Sequence, residues 1–111
     1  MAKYLLIESR DPYEYADTHY FYDLARDLAQ RGNEVALFLI QNGTLLAREG
    51  ASPDKLAELR QAAPSVRLLA DEFSLRERGI RHERLVRGVE VSDVDRLVDL
   101  LLEPGCKPVW H

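Results

Sequence analysis

The sequence predicts an α/β fold: a single three-layer α/β/α domain over residues 1–111, built on a mostly parallel sheet of four to five strands. Three features carry that expectation. Short apolar runs recur at residues 4–7, 34–40 and 66–70. They are continuous rather than alternating, which marks strands covered on both faces, as in a parallel sheet. Stretches with helical spacing lie between them, and strand–helix alternation over this length gives a layered α/β domain.

Residues 4–7 (Y-L-L-I) form a buried first strand between Lys3 and Glu8. Asp11 is placed to cap the next helix, with Pro12 at its first position and Glu14 completing an aspartate form of the capping box. Phe21, Leu24, Ala25, Leu28 and Ala29 follow at helical spacing, with Phe21 and Leu24 toward the core. Arg31-Gly32 ends that helix, since glycine takes the left-handed conformation without a Cβ penalty. The most hydrophobic run, E-V-A-L-F-L-I at 34–40, stops at Gln41-Asn42-Gly43. A short helical turn is expected over 44–49. Ser52-Pro53 then restarts a helix, with Leu56 and Leu59 inward and Pro64 as its terminator.

The central stretch is S-V-R-L-L-A-D-E-F-S-L-R-E-R-G-I at 65–80: a buried strand, the acidic turn Asp71-Glu72, and a helix stopping at Gly79. Ligands of open α/β sheets sit at such carboxyl ends of strands. Leu85-Val86 and residues 89–91 are short strand pieces. Ser92 is expected to cap a last helix, with Asp95 at the third position and Val94, Leu97, Val98 and Leu101 on one face. Residues 106–110 form a final strand that Pro108 assigns to an edge.

Composition narrows the function classes. With 46% hydrophobic and 31% charged residues the chain has the profile of a globular domain. A net charge of −4 and a pI of about 5.3 give no overall support to binding nucleic-acid phosphates. No apolar run approaches the roughly 20 residues of a membrane span. The opening M-A-K-Y-L-L-I-E-S reads as a strand and lacks a signal-peptide layout. One cysteine, Cys106, excludes an intramolecular disulfide and a multi-thiolate zinc site, and a cytoplasmic address is expected. No phosphate loop, dinucleotide fingerprint or nucleophile elbow is present, and no cofactor is expected.

Three segments, V-A-L-F-L-I-Q-N-G at 35–43, R-E-R-G-I at 76–80 and L-V-R-G-V-E-V-S at 85–92, occur in an order and spacing that resembles the DsrE/DsrF/TusD (DsrEFH-like) family of small sulfur-relay proteins. With the opening strand and helix, the resemblance covers nearly the whole chain. It implies an α/β sandwich around a parallel sheet, assembled into homo- or hetero-oligomers. It also implies, in active members, a persulfide on one cysteine at the start of the helix after the third strand. Counting back from Gly79, that position is Asp71 here, and aspartate forms no persulfide. A thiol at a helix N-terminus has a lowered pKa and acts as a nucleophile, whereas an aspartate supplies a cap and a negative charge.

The candidate binding crevice is therefore formed by Ser9 and Arg10, by Gln41, Asn42 and Gly43, and by Ala70, Asp71 and Glu72. Asp71 and Glu72 suit a base or an electrostatic anchor there; the plainer account is a helix cap and a first-turn acid. Cys106 is the alternative sulfur carrier, although a small buried hydrophobe explains it with fewer assumptions. His19, His82 and His111 lack metal-ligand spacing. Arg76, Arg78, Arg81, Arg84 and Arg87 make a basic tract suited to an acidic partner or anionic substrate, or, with Glu77 and Glu83 interspersed, a mixed solvated face. Tyr13, Tyr15, Tyr20 and Tyr22 give the first loop and helix an aromatic surface of the kind enriched at interfaces. These readings converge on a non-catalytic DsrE-like subunit or binding module of sulfur relay, a homo-oligomer or hetero-oligomer with other sulfur-relay proteins. The alternative is a sulfurtransferase-like carrier using Cys106. Neither nucleic acid nor membrane is an expected partner.

Overall fold

Alternation along the strands sets the layers. Leu6, Val35, Leu37, Leu39, Leu68 and Ala70 project into one apolar cluster. Their neighbours Leu5, Ile7, Phe38 and Leu69 project into another on the opposite face of the sheet. Both faces are covered, and so the runs read as continuous in the sequence. The structure, a computed structural model, describes residues 1–51 and 54–111.

Among these residues five strands form one sheet: β1 (Lys3–Glu8), β2 (Glu34–Leu39), β3 (Arg67–Asp71), β4 (Val89–Ser92) and β5 (Cys106–Trp110). Their order is β4-β3-β2-β1-β5, and every pairing is parallel. Between them lie helices α1 (Thr18–Gln30), α2 (Lys55–Ala62), α3 (Glu72–Glu77) and α4 (Val94–Leu101). The steps from β1 to β4 all run one way, and α1, α2 and α3 pack together on one face. The connection from β4 returns past β1, and α4 lies on the other face through Leu97 and Leu100. Right-handed crossovers require this division of the helices. The predicted α/β class, parallel sheet and edge position of 106–110 all stand.

Several local expectations are corrected. Asp11 does not cap α1: its Oδ1 accepts from the backbone N–H groups of Tyr13 and Glu14, both at 2.9 Å, and closes a turn. Such local aspartate bonds compete with helix, and α1 starts only at Thr18. The buried stripe of α1 is Thr18, Phe21, Tyr22 and Ala25. Leu24 falls off it, 37% exposed, and Tyr22, expected on an exposed aromatic surface, is only 3% exposed. The helical turn after β2 is a 3-10 segment, Gln41–Ala47, that begins three residues early. Ser52-Pro53 lies outside the described residues; α2 is capped by Asp54, whose side chain accepts from the Ala57 N–H. Ser92 is not the cap of α4 but the last residue of β4, and Asp93 accepts from the Arg96 N–H at 2.9 Å. On α4, Leu97 and Leu100 face the sheet, leaving Val94, Val98 and Leu101 exposed.

Candidate functional site

Adjacent strands β3 and β4 are followed by helices on opposite faces, which makes their carboxyl ends the switch point of the sheet. Asp71 stands there, in register with Ser92. It ends β3 and caps α3: Oδ2 accepts from the Ser74 backbone N–H at 2.9 Å and from Ser74 Oγ at 2.6 Å. Ser74 Oγ in turn accepts from the Gln41 N–H at 2.8 Å, tying the turn after β2 to the turn after β3. Gln41 occupies the left-handed region, φ +50°, unusual for a residue with a side chain. Arg78 closes the cluster, its Nε donating to Asn42 Oδ1 at 3.0 Å and its guanidinium to the Ser74 carbonyl at 3.1 Å.

The structure thus brings Gln41, Asn42, Ala70 and Asp71 together, but as a packed cluster. Ala70 is fully buried, Asp71 is 4% exposed, and Asp71 Oδ1 has no hydrogen-bond partner. Glu72 points outward in the first turn of α3. Gly43 is buried for a packing reason, since a Cβ there would collide with the Glu8 carbonyl. Ser9 and Arg10 do not join the cluster. Ser9 Oγ donates to the His111 carbonyl at 2.9 Å and receives Trp110 Nε1 at 3.2 Å, while the Arg10 guanidinium lies 4.9 Å from the Tyr15 ring centroid.

A second polar cluster forms at the other side of the same sheet end. Glu8, fully buried at the end of β1, lies 2.7 Å from His111 Nδ1 through Oε2, and His111 Nε2 lies 3.1 Å from Asp17 Oδ2. Phe21 stacks on the imidazole at 5.2 Å between centroids. Burial pushes the Glu8 carboxyl up to about 7, partly offset by its bonds to His111 and Thr18. Burial works to lower His111, but hydrogen bonds to Asp17 and Glu8 carry it above the usual histidine value. Burial, then the charge of Glu8, raises the Tyr22 hydroxyl far above its ordinary value. Both ring nitrogens of His111 face acidic side chains, Glu8 and Asp17, so both are engaged. With both positions engaged, the pair fastens the end of β5 to β1 and α1 and leaves no nitrogen for a substrate. Sequence reasoning missed this cluster because residues 8 and 111 meet only through the β1–β5 pairing. The one sequence signal was a glutamate terminating an apolar strand.

Cys106 is at the opposite end of the sheet, opening β5 in register with Lys3. Burial, then the charge of Glu103, pushes its thiol up. His19 lies in α1, its Nδ1 2.6 Å from the Ala16 carbonyl oxygen, and His82 lies in a 3-10 turn. Among the described residues, no group of three or more His, Cys, Asp or Glu is arranged to hold a metal, and no helix is long and apolar enough to cross a membrane.

These features define a class: small α/β domains with a parallel sheet and a polar cluster at its switch point. A model of the DsrE/DsrF-like family matches residues 2–105, and the chain belongs to that family. The family is generally associated with sulfur relay, which gives the chain a broad role in sulfur metabolism. The fold is shared with the YchN protein from E. coli at TM-score 0.86 and 20% identity, covering 100% of both chains. It is also shared with MTH1491 from Methanobacterium thermoautotrophicum, a protein of unknown function, at TM-score 0.81 and 20% identity, again over 100% of both chains. No curated protein sequence matches the chain significantly.

Proposed function

We propose that this protein, as a single DsrE-like domain over residues 1–111, is a non-catalytic subunit or binding module of a cytoplasmic sulfur relay, carrying no sulfur itself. One observation carries the reading. The position that the family resemblance assigns to the persulfide cysteine holds Asp71, with one carboxylate oxygen committed to Ser74 and the other buried. A carboxylate has no sulfur chemistry to offer there, and its bonds make it a cap.

Cys106 is a poor substitute. It lies at the amino end of the sheet, and Glu103 opposes thiolate formation. A thiol with raised pKa is a weaker sulfur acceptor at neutral pH. The association part of the proposal draws on exposed apolar residues of α4, the residue that caps its C-terminus, and β5: Val94, Val98, Leu101, Leu102 and Trp110. Tyr13, Tyr15 and Tyr20 are exposed as well and remain interface candidates. Incubation with a cysteine desulfurase and cysteine tests the reading. Wild type should take up no sulfur, and a persulfide on wild type would remove the proposal.

A further inference from the structure

We propose that the face formed by residues 47–50 and 84–87 is a docking surface for an acidic polypeptide. Two segments remote in sequence meet there. Arg48 and Leu85 form an antiparallel bridge, with the Glu49 N–H donating to the Arg84 carbonyl at 2.6 Å and the Val86 N–H to the Ala47 carbonyl at 2.7 Å. A cleft opens on each side of this ribbon. One, of about 610 Å³, is lined by Arg48, Arg78, Arg81 and Arg84. The other, of about 790 Å³, carries Arg60 and Arg87. Arg60 is laid across Gly88, where a Cβ would collide with its Nε, so only glycine lets the guanidinium lie flat on that turn.

The charge of this face runs against that of the chain. Six arginines confront two lining carboxylates, Glu49 and Asp54, in a protein of net charge −4. Ion pairs elsewhere engage Lys3, Arg26, Lys55, Arg67 and His111; among the described residues none engages any of these six. All but Arg78 are exposed. Guanidinium groups present a rigid fork that matches carboxylate oxygens two at a time.

The spread of the arginines selects the ligand. A compact anion reaches the arginines of one cleft only, whereas a ligand touching both must be extended and multiply charged. Glu49 lines both clefts, at the centre of the face. A uniform phosphate backbone meets repulsion there; an acidic protein segment can place a basic side chain opposite it. The inference does not depend on whether sulfur is carried at any residue.

The test is fluorescence anisotropy with a labelled glutamate-rich peptide carrying one central lysine. An all-glutamate peptide and a single-stranded oligonucleotide of equal charge serve as comparisons, with inorganic pyrophosphate as competitor. The lysine-containing peptide should bind most tightly and weaken steeply with added salt. Arg81→Glu with Arg84→Glu should weaken it by about tenfold or more, while Arg26→Glu on α1 leaves it unchanged. Glu49→Gln should erase the preference for the lysine-containing peptide. Binding that ignores the double reversal, tighter binding of the oligonucleotide, or full displacement by pyrophosphate would overturn the proposal. The salt response of wild type needs no variant to fold, and its absence would do the same.

Discussion

Glu8 Oε2 lies 2.7 Å from His111 Nδ1, joining the carboxyl end of the first strand to the residue after the fifth. The contact gives stability a pH dependence of definite sign. Glu8, raised from 4.5 to about 7, holds a proton in the folded state that the unfolded chain releases earlier. Its share of stability is full below 4.5 and is lost as pH rises toward 7. His111, raised above 6.5, adds the same sign, present below 6.5 and lost as pH climbs through its folded value. Asp17, lowered from 3.8, acts only in more acid solution. Urea denaturation should therefore show stability falling between about pH 5 and pH 8, by on the order of 3 kcal/mol for the Glu8 shift. Glu8→Gln should flatten that slope; an unchanged slope would refute the assignment.

Gly43 makes a backbone-to-backbone contact that cannot be relieved by moving a side chain. Gly43→Ala should cost about 2 kcal/mol or more, in the range of overpacking and strain. A loss well below that in a urea titration would mean that the turn after β2 shifts freely.

The apolar remainder of α4 predicts self-association. Val94, Val98 and Leu102 are 57%, 45% and 76% exposed, and only Leu97 and Leu100 meet the sheet. Light scattering at micromolar concentration should give at least a dimer, and Val98→Asp should shift it toward monomer. A 12.7 kDa species for wild type would rule association out.

Asp71→Ala should destabilise α3 by about 1 kcal/mol, as lost caps do, measured by chemical denaturation. Asp71→Asn, which keeps an acceptor for the Ser74 N–H, should recover part of that loss. Equal loss in both variants would mean that charge, not the capping bond, holds the turn.

What the sequence disclosed and concealed follows from the range of the interactions. The strands at 4–7, 34–40 and 66–70 were legible because double-sided burial demands continuous apolar runs. The Asp71 turn was legible because capping acts within three residues. The start of α1 was misread because Asp11 has two local uses and sequence alone does not choose between a turn and a helix. Tyr22 was misplaced separately: it shares the buried stripe with Thr18, Phe21 and Ala25, where the sequence reading puts Leu24. Ser9 was assigned to the crevice because it follows a strand, but the β1–β5 pairing turns it toward Trp110 and His111. Glu8 and His111 are 103 residues apart, and only the strand order brings them together.

The central claim is that this chain carries no sulfur, and intact-mass spectrometry tests it most directly. Wild-type protein is incubated with a cysteine desulfurase and cysteine and weighed without reductant, beside Cys106→Ser. The account predicts an unchanged wild-type mass, because Asp71 holds no thiol and burial and Glu103 raise the pKa of Cys106. A wild-type mass increased by one sulfur atom, with the increase absent from Cys106→Ser, would contradict it and make Cys106 the carrier.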